Sequence, residues 1–137
     1  MLLFSLDGDQ EVPSISTAGT GTIELTPGIG VVDYTLTYQD LEAAPLQAHI
    51  HFGQSSVDGG ITVWLCSNVG APVTVPACTA SPAVVVGSFD ASDIQPIVAQ
   101  GLAPEFNALI AAFNAGLLYA NVHTDSFPGG EIRGQLD

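Results

Sequence analysis

The three histidines of this chain are the residues best suited to chemistry. His49 and His51 form a His-x-His pair, and His123 lies in a second strand-like segment far along the chain. Alternate side chains of a β-strand share one face, so the paired histidines point the same way, with Cα atoms about 7 Å apart. The apolar residues around them take the other face. We therefore expect the imidazoles to point away from the core, toward solvent or a covering loop.

A metal ion is one good reason for such a pattern. Imidazole nitrogen suits Cu(II) and Zn(II), and a three-histidine set leaves a coordination position open for water or substrate. We therefore expect a mononuclear site formed by His49, His51 and His123, with copper favoured and zinc the alternative. Each ligating ring should donate its other N–H to an acceptor. The candidates for the supporting residues are Asn121, Asp125, Glu131 and Arg133.

A metal-free interpretation is equally open from the residues alone. The histidines would then hydrogen-bond strand backbones and turns, and the chain would be a non-catalytic extracellular interaction or matrix module. Its ligand would be a protein partner or, in a homodimer, a second copy of the chain. The residue pattern does not decide whether there is catalysis. If there is, we expect copper-dependent redox chemistry.

Eight short segments with strand-like alternation must position these residues. Glycine, proline, aspartate and serine separate them, as in all-β proteins. The segments span residues 3–6, 20–25, 31–38, 46–52, 61–66, 83–89, 117–123 and 131–136. Their number and spacing predict a mainly β fold, a sandwich or Greek-key barrel.

One or two short helices should pack on this sheet. Pro104 suits a first helical position, and Gly116 can end the helix. Between them, apolar residues follow at helical spacing: Phe106, Leu109, Ile110 and Phe113. A capping-box pattern at 92–95 predicts a second, shorter helix with Ser92 as its N-cap.

Length and charge limit the kind of protein. A chain of 137 residues suits one domain, 1–137, with its own hydrophobic core. Fourteen acidic residues against a single basic one give a net charge of −13. Proteins that bind nucleic acids or anionic membranes usually do so through basic patches, which this chain lacks. No apolar run approaches the roughly 20 residues of a membrane span. We expect neither a nucleic-acid partner nor membrane insertion for this acidic protein.

Cys66 and Cys78 flank a loop-like segment that contains glycine and proline. A disulfide between them would stabilise the fold by roughly 3 kcal/mol on the chain-entropy model, with two free thiols as the alternative. A disulfide favours an oxidising compartment, so we expect a secreted, periplasmic or extracellular protein. The first four residues are too short for a signal peptide, so we expect the leader to be absent from this sequence.

Arg133 is the only permanently charged cation of the chain. We expect Glu11 and Glu131 to form a structural ion pair with it, tying the first segment to the last strand. The functional alternative is an anion-attracting arginine beside the metal. Trp64 and Tyr119 fall on the non-core side of their strands; we expect them to be packing residues, with the lining of a site or interface as the alternative.

Four motifs together resemble a known domain. They are Leu6–Pro13, Ala48–Gly53, Tyr119–Thr124 and Phe127–Leu136. In this order they resemble the CHRD (chordin) domain in its stand-alone bacterial form, and the resemblance covers essentially the whole chain. It implies an extracellular module. In the animal protein such domains lie between cysteine-rich modules that bind growth factors, and for the bacterial forms the family implies no settled activity.

A second resemblance concerns the histidines. A His-x-His strand followed by a later strand histidine is similar to the copper ligand set of Cu,Zn superoxide dismutase. This likeness implies a superoxide dismutase-like Greek-key β-sandwich or barrel. The dismutase pattern also needs further histidines and an aspartate in a zinc loop, including a histidine that bridges both metals. Only three histidines exist here, so a full dinuclear site cannot form and dismutase activity is not implied.

Overall fold

All eight predicted strands form. The structure is a computed structural model that describes all 137 residues. The strands are β1 (Leu2–Asp7), β2 (Thr20–Pro27), β3 (Val31–Gln39), β4 (Pro45–Phe52), β5 (Gly60–Ser67), β6 (Ala83–Asp90), β7 (Leu118–Thr124) and β8 (Ile132–Gln135). One α-helix, α1 (Phe106–Asn114), lies between β6 and β7, after two single 3-10 turns at 91–93 and 98–100.

The strands form one antiparallel sheet in the order β5-β4-β7-β8-β1-β2-β3-β6. The pairing of β1 with β8 places the first and last strands side by side. On β3, the Tyr34 hydroxyl donates to the Leu65 carbonyl on β5 at 2.6 Å, a contact between opposite halves of the sheet. The sheet therefore curls into a nearly closed barrel. The predicted Greek-key β-sandwich or barrel with a short helix packed on it is confirmed.

The inward-facing residues of the strands alternate with outward-facing ones and form one core. Helix α1 adds Leu109 and Ala112 to this core. Its predicted end is confirmed, since Gly116 follows it with φ of 72°. Its predicted start at Pro104 was two residues too early, because Glu105 is the N-cap and Phe106 is the first helical residue. Burying a leucine side chain of this kind stabilises a fold by about 1.5–3 kcal/mol.

The second predicted helix is only a 3-10 turn, and the prediction of its cap was wrong by two residues. Asp90, not Ser92, is the N-cap. Its side chain accepts from the Ser92 N–H at 2.9 Å, and Asp93 Oδ2 accepts from the Asp90 N–H at 3.0 Å. The aspartate ends β6 in extended conformation and satisfies the turn, so Ser92 is already inside it.

The predicted disulfide between Cys66 and Cys78 is confirmed, and both cysteines are buried. It closes the loop that follows β5. Within that loop the Asn68 amide donates to the carbonyls of Pro45 and Cys78 at 3.0 and 2.8 Å, which ties the loop to β4. No helix of the fold has the length and apolar character that crossing a membrane requires.

Candidate metal centre

The pairing of β4 with β7 brings the three histidines together. The cross-strand partners are Gln47 with His123, His49 with Asn121, and His51 with Tyr119. Directly opposed residues of an antiparallel pair share a face, as do alternate residues of one strand. All three imidazoles therefore lie on the same face of the sheet. The residues between them, such as Ala48, Ile50 and Val122, belong to the core on the other side.

The histidines point away from the core, as predicted, yet they are not open to solvent. His49 has no exposed surface, and His51 and His123 are only 6% and 8% exposed. Two loops supply contacts to the rings, the β4–β5 loop through Gly59 and the β7–β8 loop through Pro128. Of the two expected outcomes, solvent or a covering loop, the structure shows the covering loop.

The ring nitrogens converge. His49 Nδ1 lies 3.1 Å from His123 Nε2. One nitrogen from each of the three rings can be chosen so that all lie within 4.8 Å of one another. Metal–imidazole bonds are about 2.0–2.1 Å, so two ligand nitrogens can be at most about 4 Å apart. The widest of these separations would therefore have to shrink by about 1 Å for all three nitrogens to bind one ion.

The second nitrogen of each ring already faces an acceptor. His51 Nδ1 donates to the Gly59 carbonyl at 2.9 Å, and His123 Nδ1 donates to the Pro128 carbonyl at 2.8 Å. His49 Nε2 faces the Gln47 side-chain oxygen at 3.2 Å. Backbone carbonyls only accept hydrogen bonds, so the protons of His51 and His123 lie on Nδ1. With the Gln47 amide oxygen turned toward it, His49 carries its proton on Nε2. The three inner nitrogens then keep their lone pairs, as metal ligation requires.

Burial keeps these rings neutral. It lowers the pKa of His49, and the neighbouring His123 and His51 lower it further. Burial also lowers the pKa of His51, to about 4, although its hydrogen bond to Gly59 acts in the opposite direction. The pKa of His123 is lowered too, mainly by burial. Neutral imidazole is the form that binds a metal, so the cluster is ready for one across the physiological pH range.

Of the predicted supporting residues, Asn121 contacts a histidine and two others do not. Asn121 Oδ1 lies 2.8 Å from His51 Nε2. Asp125 is exposed, and its backbone N–H bonds to the Ala44 carbonyl. Neither Asp125 nor Glu131 accepts a hydrogen bond from a histidine. The acceptors are two backbone carbonyls and a glutamine, which a search for charged side chains overlooks.

Arg133 forms its ion pair with a different acid from those predicted. The structure corrects the expected pairing with Glu11 and Glu131: the partner is Asp58, at 3.3 Å, whose side chain is 63% exposed. Arg133 itself is buried and also donates to the carbonyls of Gln54 and Val57 at 3.1 and 2.9 Å. Arg133 therefore holds the β4–β5 loop, and that loop carries the Gly59 carbonyl that accepts from His51.

Glu131 is fully buried and serves as a structural acceptor. Its carboxylate accepts from the hydroxyl of Thr17 at 2.7 Å, from the Glu42 backbone N–H at 2.8 Å and from the hydroxyl of Thr124 at 2.9 Å. Three donors satisfy a buried carboxylate without an arginine. Glu131 thereby links two distant loops to the end of β7.

Glu11 is buried with its charge poorly satisfied. It is 5% exposed, and its Oε2 has no hydrogen-bond partner. Burial raises the pKa of Glu11 to about 7, although the Arg133 charge and the nearby Asn121 amide lower it in part. The amide does not reach Oε2 in good hydrogen-bond geometry. Glu11 is therefore the one buried acid near the histidines that lacks donors.

Two aromatic residues line the cluster. The Tyr119 ring stacks parallel on His51 with centroids 4.6 Å apart, and the Arg133 guanidinium lies 3.5 Å from the centroid of that ring. The Trp64 ring meets His49 edge-on at 4.3 Å. The sequence places Trp64 and Tyr119 on the non-core side of their strands, which left open that they line a site instead of only packing. The structure shows both rings lining the histidine cluster. Gln47 shares that face with His49 and could have been found by the same parity.

The fold and the site define a class of protein: an antiparallel β-barrel with a loop-covered group of three histidines outside its core. The family model of the CHRD domain matches residues 2–136, nearly the whole chain. The chain therefore belongs to the CHRD domain family, whose domains are extracellular, and the disulfide agrees with that setting. No curated protein and no solved structure shows significant similarity to it.

Proposed function

We propose that this CHRD domain is an exported metal-binding protein that holds one Cu(II) ion on His49, His51 and His123, with Zn(II) as the weaker alternative. The observation that supports it is the arrangement of the ring nitrogens. Each outer nitrogen faces an acceptor, and one nitrogen from each ring lies within 4.8 Å of one nitrogen from each of the other two. Histidines that only hydrogen-bond to strand backbones and turns would not need the 3.1 Å contact between His49 Nδ1 and His123 Nε2.

The electrostatics of the His49–His123 contact favour a cation. With the outer nitrogens protonated, two lone pairs face each other at 3.1 Å inside the protein. That repulsion is relieved by a metal ion, or by moving the His49 proton inward. The second solution leaves His49 Nε2 without its proton against the Gln47 oxygen. A change of tautomer therefore also requires the Gln47 amide to turn so that its nitrogen donates to His49 Nε2, whereas a bound cation leaves both side chains in their present orientation.

Copper is the better fit because the donor set consists of imidazoles alone. Cu(II) binds nitrogen donors more tightly than Zn(II) in the usual order of divalent metals. When bound, copper supplies one-electron redox chemistry. The chain's own residues hold the rings, keep them neutral and cover them from solvent. The near-complete burial favours metal handling or electron exchange over the turnover of a bulky substrate.

The fluorescence of Trp64 provides a direct assay. It is the only tryptophan of the chain, and its ring lies 4.3 Å from that of His49. We expect one equivalent of Cu(II) to quench its emission, while Zn(II) binds without such quenching. Electron paramagnetic resonance of the copper form should show coupling to several nitrogen nuclei. Metal analysis of protein purified without added metal would identify the native ion.

Substitutions locate the metal. His51→Gln and His123→Gln should abolish stoichiometric quenching, whereas the exposed Asp125→Asn should leave it unchanged. If both histidine variants still bound one Cu(II) with wild-type affinity, the proposed site would be wrong. Superoxide turnover by the copper form, compared with free copper, separates a redox role from metal carriage. A wild-type protein that binds no copper or zinc would leave the histidines with a structural role in an interaction module.

A further inference from the structure

Glu11 has a buried carboxylate oxygen that the three-histidine site does not explain. It is the only residue with a buried side-chain polar atom that lacks a hydrogen-bond partner. Such atoms are rare in folded proteins and call for an explanation by strain, chemistry or an ion. Glu11 lies on the loop after β1 and forms no hydrogen bond to any of the three rings. The Asn121 side chain lies between it and His51.

Neither end of the Asn121 amide has a well-matched hydrogen-bond partner. Its oxygen lies 2.8 Å from His51 Nε2, which has no proton while Nδ1 donates to Gly59. Its nitrogen lies on the Glu11 side without reaching Oε2 in good geometry. A half-turn of the amide resolves both conflicts if Glu11 carries a proton. The amide nitrogen then donates to His51, and the Glu11 hydroxyl donates to the amide oxygen.

A cation on His51 changes this balance. Once Nε2 holds a metal, it no longer accepts from the Asn121 amide. The amide N–H can then turn back to donate to an ionised Glu11 carboxylate. Metal occupancy, the orientation of Asn121 and the protonation of Glu11 are thus linked through one side chain.

Of the acidic residues near the histidines, only Glu11 is both buried and without a hydrogen-bond donor for its carboxyl group. Glu131 already accepts three hydrogen bonds and is satisfied in its loops. Asp58 is mostly exposed and paired with Arg133. The groups acting on Glu11 are the cation of Arg133 on β8, the Asn121 amide on β7 and the carboxylate of Asp58, with the Tyr119 phenol also coupled to it. A divalent cation brought in among neutral rings needs a nearby buried negative charge.

We propose that Glu11 balances the charge of the histidine centre: it carries a proton while the rings hold no cation, and it releases that proton to solvent when they bind one. The Asn121 amide turns between the two states. This inference rests on the proposed metal site and adds its regulation by pH. Affinity for Cu(II) rises about tenfold per pH unit while Glu11 is protonated, and Glu11 adds no further dependence once it is ionised in both states.

Glu11→Gln tests the proposal because it keeps the size of the side chain and removes the charge. We expect the Cu(II) affinity of the variant to lack the tenfold rise per pH unit that Glu11 gives the wild type. Trp64 quenching between pH 6 and 8.5 measures this affinity. At pH 8 its affinity should be about 10- to 100-fold weaker than that of the wild type, as expected for one missing charge in a partly buried site. Asp125→Asn, which removes an exposed carboxylate, should show the wild-type slope and affinity.

Proton release gives a second measurement. Titration calorimetry with Cu(II) at pH 6, in buffers of different ionisation enthalpy, should show about one more proton released by the wild type than by Glu11→Gln. Infrared spectra of the wild type at pH 6 should contain the carbonyl band of a protonated buried carboxyl that disappears when Cu(II) binds. This last measurement needs no variant, so it stands even if Glu11→Gln fails to fold.

The outcomes separate the two proposals. The wild type could bind Cu(II) but show no carboxyl band, with the same proton release and pH slope as Glu11→Gln. That result would overturn the role of Glu11 without contradicting the metal site. Wild-type protein that binds no metal at all overturns both. A difference of one proton together with loss of the band establishes the linkage.

Discussion

His49 Nδ1 and His123 Nε2 lie 3.1 Å apart although the two residues are separated by 74 positions in the chain. Neither strand could create this contact alone. It depends on the register in which Gln47 lies opposite His123 and His49 lies opposite Asn121. A shift by one residue would turn the rings of one strand into the core. The register of β4 against β7 is therefore the structural basis of the site.

The first prediction concerns the charge of the metal-free rings. Burial lowers the pKa of all three histidines, that of His51 to about 4. We therefore expect two-bond ¹H–¹⁵N spectra to show His49 and His51 neutral from pH 8 to pH 5. The same protein in concentrated urea, where the rings are exposed, should titrate near the ordinary value and serves as the control. Midpoints near 6.5 in the folded protein would contradict the burial argument.

These lowered values also affect stability. A histidine whose pKa is depressed in the folded state contributes stability above its unfolded pKa of about 6.5, and loses it as the pH falls toward the folded value. For His51 that window runs from about 6.5 down to about 4. For each histidine that stays neutral in the folded protein, the free energy of unfolding should fall by roughly 1.4 kcal/mol per pH unit as the pH decreases through that window.

Glu11 should act in the opposite direction. Its pKa is raised from 4.5 to about 7 in the folded protein, chiefly by burial. Its contribution to stability is therefore fully present below pH 4.5 and is lost as the pH rises through 7. We expect Glu11→Gln to match the wild type in urea denaturation near pH 4.5 and to be more stable by about 3 kcal/mol above pH 8 without metal.

Glu131→Gln is the contrasting variant. Glu131 is also a buried glutamate, but it accepts from Thr17, Glu42 and Thr124. Replacing one of its oxygens by an amide nitrogen turns a donor toward another donor. This variant should be destabilised by about 1–3 kcal/mol at pH 8. Equal effects of the two substitutions would show that Glu11 is as well satisfied as Glu131.

Gly130 should be intolerant of a side chain. Its φ is 124°, and a Cβ atom there would overlap Glu11 Oε2 and lie 2.7 Å from Asn121 Nδ2. We expect Gly130→Ala to lower the unfolding free energy by about 2 kcal/mol or more, since strain and contact add. Gly129→Ala is the matched control because nothing lies within 4 Å of its Cβ position. Its effect should stay within about 0.5 kcal/mol, and similar losses in both would contradict the close packing around Glu11.

Arg133 should matter through the loop carbonyls more than through its ion pair. Arg133→Lys keeps the charge but cannot reproduce the bonds to Gln54 and Val57 or the stacking on Tyr119. We expect a loss of about 2–3 kcal/mol in urea denaturation, with faster exchange of the His51 Nδ1 proton as the loop loosens. Asp58→Asn removes an exposed partner and should cost under about 1 kcal/mol. The reverse order would make the ion pair the main interaction.

The local features of this protein follow from its sequence. Period-two alternation predicted the eight strands, because a strand that buries one face must alternate apolar and polar residues. Apolar residues at helical spacing and a glycine at the end placed α1, although its start lies two residues after the proline that was expected to begin it. Two cysteines at the ends of a loop predicted the disulfide. The shared face of His49 and His51 follows from the same alternation.

The acidic and basic residues were harder to assign from sequence. Glu11, Glu131 and Arg133 were expected to pair with one another, yet Arg133 binds Asp58, and Glu131 accepts from two loop residues and from Thr124 at the end of β7. Their partners come from loops whose paths no periodicity describes. Charge alone does not select a partner when fourteen acids compete for one arginine.

Only the tertiary structure decided that His123 joins the pair on β4, and that loops cover the three rings. Alternation sets the face of each strand, but strand order and register depend on how the entire sheet packs its core. Burial then fixes the chemistry, because the loops that exclude water both neutralise the histidines and leave Glu11 without donors. A short-range pattern in the chain can select residue types for a site, while their distances, partners and protonation arise from contacts between distant segments.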